Sequence, residues 1–364
     1  MPRLSARATA THGRIGGCAM AGRRALLAAS LAGLAAPARA ARLVGDATGR
    51  SIAVPDRIGR VLPAGPPAAI LLYTAAPETL AGWPARPPRP AEAAFLTPES
   101  AALPQIGRLT GRDNTANVEA VLAQRPDLVL DYGSVAPTYV SLAERVQAQT
   151  GLPALLLDGA LARIPATYRL LGDILDRHDA AEARAVAAGR ILAEAAEAAA
   201  TLRARGRPRV LYLRGPRGLE TGLAGSINTE IIEFAGAENV AASALGPGGL
   251  AQISMEQVLA WNPDWIIAQH PDLPALAQQD PLWRAVDAVR AGRLVLLPGL
   301  PFGWMDFPPS VNRLLGLVWL PVLFGLRPRD GLAEAVADFH ALFYHRRPEP
   351  AQVAALLRPA LPPA

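Results

Sequence analysis

"VEAVLAQRPDLVL", residues 118–130, and "MEQVLAWNPDWII", residues 255–267, decide how this chain is read. They share a Glu, a Val-Leu-Ala run and a Pro-Asp pair at matching places. In the first, Val118, Val121 and Leu122 fall at helical spacing, which predicts a helix with one buried stripe. Pro126 drives Arg125 out of the α region and stops that helix. Leu128–Leu130 then read as a short buried strand that Gly133 ends. Helix, Pro-Asp stop and strand stand at equivalent places in both halves, which predicts two similar α/β lobes.

The neighbouring segments extend the pattern. "SLAERVQAQTG" (141–151) reads as a helix closed by Gly151, and "LPALLLDG" (152–159) as a further strand. Around the second copy, "RPRVLYLRG" (207–215) and "GRLVLLPG" (292–299) read as strands, and "SINTEIIEFAGAENVA" (226–241) as a helix. Such alternation predicts mostly parallel sheets. "LVGDATGRSIAVPDRIGRVL" (43–62) alternates polar and apolar residues around a Thr-Gly turn and predicts an entering hairpin. Pro84–Pro98 is Pro-rich loop. Residues 179–206 are nearly pure Ala, Glu, Arg and Leu and predict one long helix. The expected fold class is therefore α/β: two Rossmann-like lobes with mostly parallel sheets, joined by one long α-helix. The lobes are 41–178 and 207–345, the linking helix is 179–206, and 346–364 form a C-terminal helix and tail. A length of 364 residues suits two such units.

Lysine is absent, so all positive charge is Arg. That excludes a P-loop and a pyridoxal Schiff base, each of which needs a Lys. The formal net charge is +5, but six Arg and no acid fall in residues 1–40, which leaves 30 Arg against 31 Asp plus Glu. The basic character belongs to that segment and gives no argument for nucleic acid. "AGRRALLAASLAGLAAPARA" (21–40) has Arg23 and Arg24, an apolar run and a closing Ala-x-Ala. These predict a signal peptide over 1–40, cleaved after Ala40, with Met20 as an alternative start. The Arg pair also fits a twin-arginine signal. Cys18, the sole cysteine, precedes the apolar run, so the exported chain is expected to carry no thiol or disulfide. The expected location is the periplasm.

Ligands of α/β sheets bind beyond the carboxyl ends of the strands. The expected ligand-binding residues are Arg112, Asn114, Tyr132, Ser134, Arg214, Arg217, Thr221, His270, Phe302, Trp304 and Arg313. Arg forks suit carboxylates and oxyanions, and aromatic side chains give flat walls. Arg112, Arg214, Arg217 and Arg313 are expected to converge on an anionic ligand. In "FGWMDFPPSVNRLLG" (302–316), two readings stand side by side. Trp304 and Phe307 pack beneath the loop while Asp306 pairs with Arg313, or the loop meets the ligand. No G-x-S-x-G, H-E-x-x-H or G-x-G-x-x-G occurs, and of the five His only His270 falls at a strand end. No catalytic residue, metal site or cofactor is expected.

"DATGRSIAVPDRIGRVL" (46–62), "NVEAVLAQRPDLVL" (117–130), "GSINTEIIEFAGAENVA" (225–241) and "ISMEQVLAWNPDWIIA" (253–268) together resemble the periplasmic binding proteins of ABC importers. The likeness is to the helical-backbone class for metal chelates: ferric siderophores, haem and cobalamin. It covers nearly all of the chain after residue 40. The resemblance implies a two-lobe, non-enzymatic, monomeric binding protein with a rigid linking helix and little hinge motion. Its partners would be an ABC permease and its ATPase, and its ligand a small anionic metal chelate, a ferric siderophore first. An oxyanion such as molybdate or a corrinoid are the alternatives. A two-lobe oxidoreductase of the nitrogenase-component type is the alternative of another class. The family docks on its permease through one surface acid per lobe. The matching residue here is Glu230 in the second lobe. In the first, the expected segment carries Ile70, and Glu78 is the nearest acid downstream.

Overall fold

The structure, a computed structural model, describes residues 41–110 and 118–362. The expected signal peptide with Cys18 and Met20, and Arg112 and Asn114, lie outside the described residues.

The fold is α/β, built on two parallel sheets. The first orders Val61–Pro63, Leu128–Gly133 and Ala154–Asp158, with Leu128–Gly133 in the middle. The second orders Leu294–Leu296, Trp265–Ala268, Arg209–Leu213 and Glu238–Asn239. Their central strands are buried almost end to end, as parallel strands covered on both faces must be. Ahead of them, Ala41–Gly45 and Ser51–Pro55 pair as an antiparallel hairpin.

The repeated motif has a physical job. Arg125 and Asn262, with φ of 49° and 37°, turn the chain left-handed at the end of each repeat helix. Pro follows, then Asp. Asp127 N–H donates to Arg60 O at 2.8 Å, and its carboxylate accepts the N–H groups of Gly59 at 2.8 Å and Arg60 at 3.0 Å. Asp264 N–H donates to Arg209 O at 2.8 Å, and its carboxylate accepts Arg209 N–H at 2.8 Å. Each Asp thus pins the entrance of the neighbouring parallel strand.

The helix His178–Arg205 runs for 28 residues and packs against Ile164–Leu175 on one side and Arg313–Leu323 on the other. Its buried face is mostly Ala. Gly172 lets the first pair approach closely, since a Cβ there would sit 2.5 Å from Ala181 Cβ.

The end of the chain returns to the first half. Tyr344, after the helix Leu332–Phe343, stacks on Tyr73 at 6.3 Å and accepts the Tyr73 hydroxyl at 2.5 Å. Phe343 packs on Tyr168, and Arg346 donates to Leu96 O at 3.2 Å. His340 is fully buried beside Phe95 and Tyr344, and burial pushes its imidazole down to about 3. Residues 340–344, read above as the end of the second lobe, therefore also pack on the first. The segment read as a tail is also docked, with Leu296 N–H on Pro359 O at 2.9 Å and the Trp319 indole on Ala360 O at 3.0 Å. No helix among the described residues is long and apolar enough to cross a membrane.

Candidate functional site

The carboxyl ends of both sheets open onto a cleft of about 530 Å³. One wall comes from Pro66, Pro67 and Ile70 at a helix start, from Trp83, and from the strand end Asp131–Ser134. The other comes from Arg214 at the end of its strand, from Asn228, and from the loop carrying Phe302 and Asp306–Pro309.

Asp306 organises the second wall. It is buried, and its Oδ1 accepts Asn228 Nδ2 at 2.7 Å and Phe307 N–H at 2.7 Å. Its Oδ2 accepts the Tyr212 hydroxyl at 3.2 Å. Arg214 Nε lies 2.8 Å from Oδ2, an ion pair angled too poorly to count as a hydrogen bond. Burial pushes the Asp306 carboxyl above its ordinary value, and Arg214 and Asn228 pull against that. Arg214 is also paired with Glu220, and its guanidinium carbon lies 4.6 Å from the centroid of the Phe307 ring.

Asp131 stands on the first wall. Its Oδ1 accepts Tyr132 N–H at 2.9 Å, and burial raises its pKa against the hydrogen bonds of Tyr132 and Thr110. Burial also pushes the Tyr132 phenol up to about 12, with the Arg313 guanidinium opposing it. At the rim, Arg86 grips Glu92 through two hydrogen bonds of 2.7 and 2.5 Å. Arg86, Arg108 and Arg214 thus share the cleft lining with Glu92, Asp131 and Asp306. An anionic ligand here would share cations with protein carboxylates. The aromatic and proline surfaces supply most of the remaining wall.

Of the expected ligand residues, Tyr132, Ser134, Arg214 and Phe302 line this cleft. The expected convergence of four Arg is corrected. Arg217 is exposed outside the cleft, because the turn after Arg214 carries it outward. Arg313 is fully enclosed, because its helix start is wedged between the halves. Its guanidinium pairs with Glu230, not Asp306, and donates to Gly159 O and to Ser310 O, the latter at 2.9 Å. Trp304 is also fully buried, edge-on to Trp319, so the loop presents Phe307 to the cleft instead. Thr221 is fully buried on the strand Glu220–Gly222, which pairs with Leu250–Gln252, and does not line the cleft, although Leu250 does. His270 sits in a turn against Asp272, outside the lining.

The two expected docking acids differ. Glu78 is 52% exposed and meets Arg177 at 2.8 Å. Glu230 is engaged inside the molecule, accepting Leu161 N–H at 3.0 Å as well as Arg313. The exposed acid of its helix is Glu233. Residues that sequence reasoning passed over are Trp83, Arg86 and Tyr139, and Phe307 was read only as packing beneath its loop or as part of a loop that meets the ligand. The one available signal was Arg86 and Glu92 in the Pro-rich segment, an opposite-charge pair within a loop rigid enough to hold it.

The family model described as periplasmic binding protein matches residues 77–300. The molybdate-binding protein MolA of Haemophilus influenzae is 33% identical over 143 residues, 38% of this chain, and the match spans 40% of that relative's length. Among solved structures, an ABC transporter solute binding protein from Sulfurospirillum deleyianum superposes with a TM-score of 0.76 at 26% identity, covering 87% of this chain and 99% of its own. MolA of H. influenzae bound to molybdate superposes with a TM-score of 0.67 at 22% identity, over 85% and 99%, a likeness of fold.

Proposed function

The chain belongs to the periplasmic binding protein family, the solute-binding components of ABC importers, and from that premise we propose that its ligand is an anionic ferric chelate of the siderophore class. It is a transport protein and not an enzyme, which sets aside the oxidoreductase alternative. Family membership places its work outside the cytoplasm. The proposed partners are an ABC permease and its ATPase, reached after export by the signal over 1–40.

The observation that carries the chelate reading is the cleft itself. At about 530 Å³ it falls in the range of sites that enclose a whole organic ligand. Its walls are largely aromatic and proline, and its guanidinium groups are already partnered. A bare tetrahedral oxyanion would occupy a small part of that space and touch little of the apolar wall. A chelate with an organic shell and peripheral anionic oxygens uses both.

A second reading, an oxyanion such as molybdate, is favoured by one observation, the 33% identity to a molybdate-binding protein. Calorimetric titration of ligand-stripped protein separates the two. A ferric chelate should bind with micromolar affinity or better and raise the melting temperature, by roughly 2.7 kcal/mol of added stability at a hundredfold excess over Kd. Binding of molybdate with no response to any ferric chelate would reverse the order of the readings.

A further inference from the structure

Among the described residues, the aromatic side chains that stand exposed are Tyr139 and Phe307, and both line the cleft. They are 42% and 46% exposed, one from each wall. Every other Phe, Tyr and Trp ring is at least partly buried. Solvent-facing aromatics placed only at a ligand cleft call for an explanation that packing does not supply.

Phe307 is the more telling of the two. Its φ is 66°, in the left-handed region where a bulky side chain is an outlier. Such outliers persist where surrounding structure forces them, and they gather at ligand clamps. The forcing groups are visible. Asn312 Nδ2 donates to Gly303 O and to Pro308 O, the latter at 3.0 Å. Asp306 holds the Phe307 N–H at 2.7 Å. Gly303 sits so close to Asp306 O that no Cβ would fit. The loop is built to raise this ring out of the protein while Trp304, three residues earlier, goes fully inside.

Arg214 lies against the Phe307 ring. A cation there draws on the negative charge of the π cloud. The ring then repels an electron-rich aromatic partner less than a bare Phe would, since stacking is limited by repulsion between like quadrupoles. We propose that Phe307, backed by Arg214, and Tyr139 form an aromatic clamp that selects ligands presenting a flat, electron-rich aryl face, such as catecholate chelates, over chelates built on alkyl groups. The clamp deepens the chelate reading and rests on it.

Two probes test it: ferric catecholate prepared from catechol, and ferric acetohydroxamate, which has no ring. Both are titrated into the purified protein, wild type and Phe307→Leu, Tyr139→Leu and Phe307→Tyr. The wild type should prefer the catecholate. Each Leu variant should lower that preference about tenfold, and Phe307→Tyr should keep it, which also shows that the loop tolerates substitution. If wild type binds both chelates equally, or the Leu variants keep the full preference, the clamp is overturned while the chelate reading stands. If wild type binds molybdate and neither chelate, both fall together.

Discussion

The two halves of the molecule begin alike and finish differently. Each has a helix, a left-handed residue, Pro and then an Asp that pins the next strand, at 125–127 and 262–264. The second half then encloses a compact core of its own, from Leu211 to Val289, mostly aliphatic with Trp283. A larger core then joins the two halves. It takes in Phe339, Phe343 and Tyr344 from near the chain's end, Tyr73, Trp83 and Tyr168 from the first half, and Tyr212, Ile267 and Val295 from the second-half sheet. Repetition in sequence marks the joints, where local geometry is the whole requirement. It stops where each half must meet something else, whether a ligand or the other half.

The strongest test of this contrast lies between the halves. Arg313 is enclosed and holds Glu230 of the second half and Gly159 O of the first. Arg313→Met leaves Glu230 short of its partner, and breaking a buried pair on one side costs about 3–5 kcal/mol. Chemical denaturation should show that loss as a single transition. A loss confined to one of two separate transitions would mean that the halves are not tied here.

A pH titration addresses the packing at the chain's end. His340 is fully buried, and neither ring nitrogen has a hydrogen-bond partner among the described residues. Its folded pKa is depressed to about 3 from an ordinary 6.5. The unfolded chain thus takes up the proton first as pH falls, and this contribution to stability declines below about pH 6.5 until the folded form also protonates near 3. The slope should approach 1.4 kcal/mol per pH unit in that window. His340→Phe should flatten it, as followed by urea unfolding at several pH values. An unchanged slope in that variant would assign the acid sensitivity elsewhere.

The joints themselves give the next smaller effect. Asp127→Ala and Asp264→Ala should each cost about 1.5–3 kcal/mol, the worth of hydrogen bonds to a charged acceptor. Asp127→Ala should cost the more of the two, since its carboxylate accepts two backbone N–H groups against one for Asp264, and the reverse order would break the equivalence of the joints. Smallest of all is the surface. Glu78→Ala removes an exposed pair with Arg177 and should change stability by roughly 0.2–1 kcal/mol. Glu230→Ala should cost more than that, since it gives up Leu161 N–H and Arg313 together.

The same division explains what could be read from the sequence. The Pro-Asp joints, the long Ala-rich helix and the alternating helices and strands are legible because their helix stops and apolar patterns are written within a few residues, even though each joint's Asp bonds a strand distant in sequence. Strand ends were legible too, so Tyr132, Ser134, Arg214 and Phe302 were named and line the cleft. What failed was choosing between adjacent side chains in a loop. Trp304 and Phe307 look alike as aromatics, and only the fold of 302–312 buries one and exposes the other. Arg313 looks like any Arg in a first helical turn, and its enclosure depends on Gly159 and Glu230, which are distant in sequence.

The hydrogen bond from Tyr73 to the carbonyl of Tyr344 joins residues 271 positions apart. During synthesis, the first half leaves the ribosome long before the ring that closes it exists. Its helices must wait with Tyr73 and Tyr168 uncovered until the chain's end arrives, although the smaller cluster from Leu211 to Val289 lies within the second half and can gather before that. The order in which the polypeptide is made is thus not the order in which it can become whole, and a nascent chain halted before residue 344 would carry an open apolar face for a chaperone to hold.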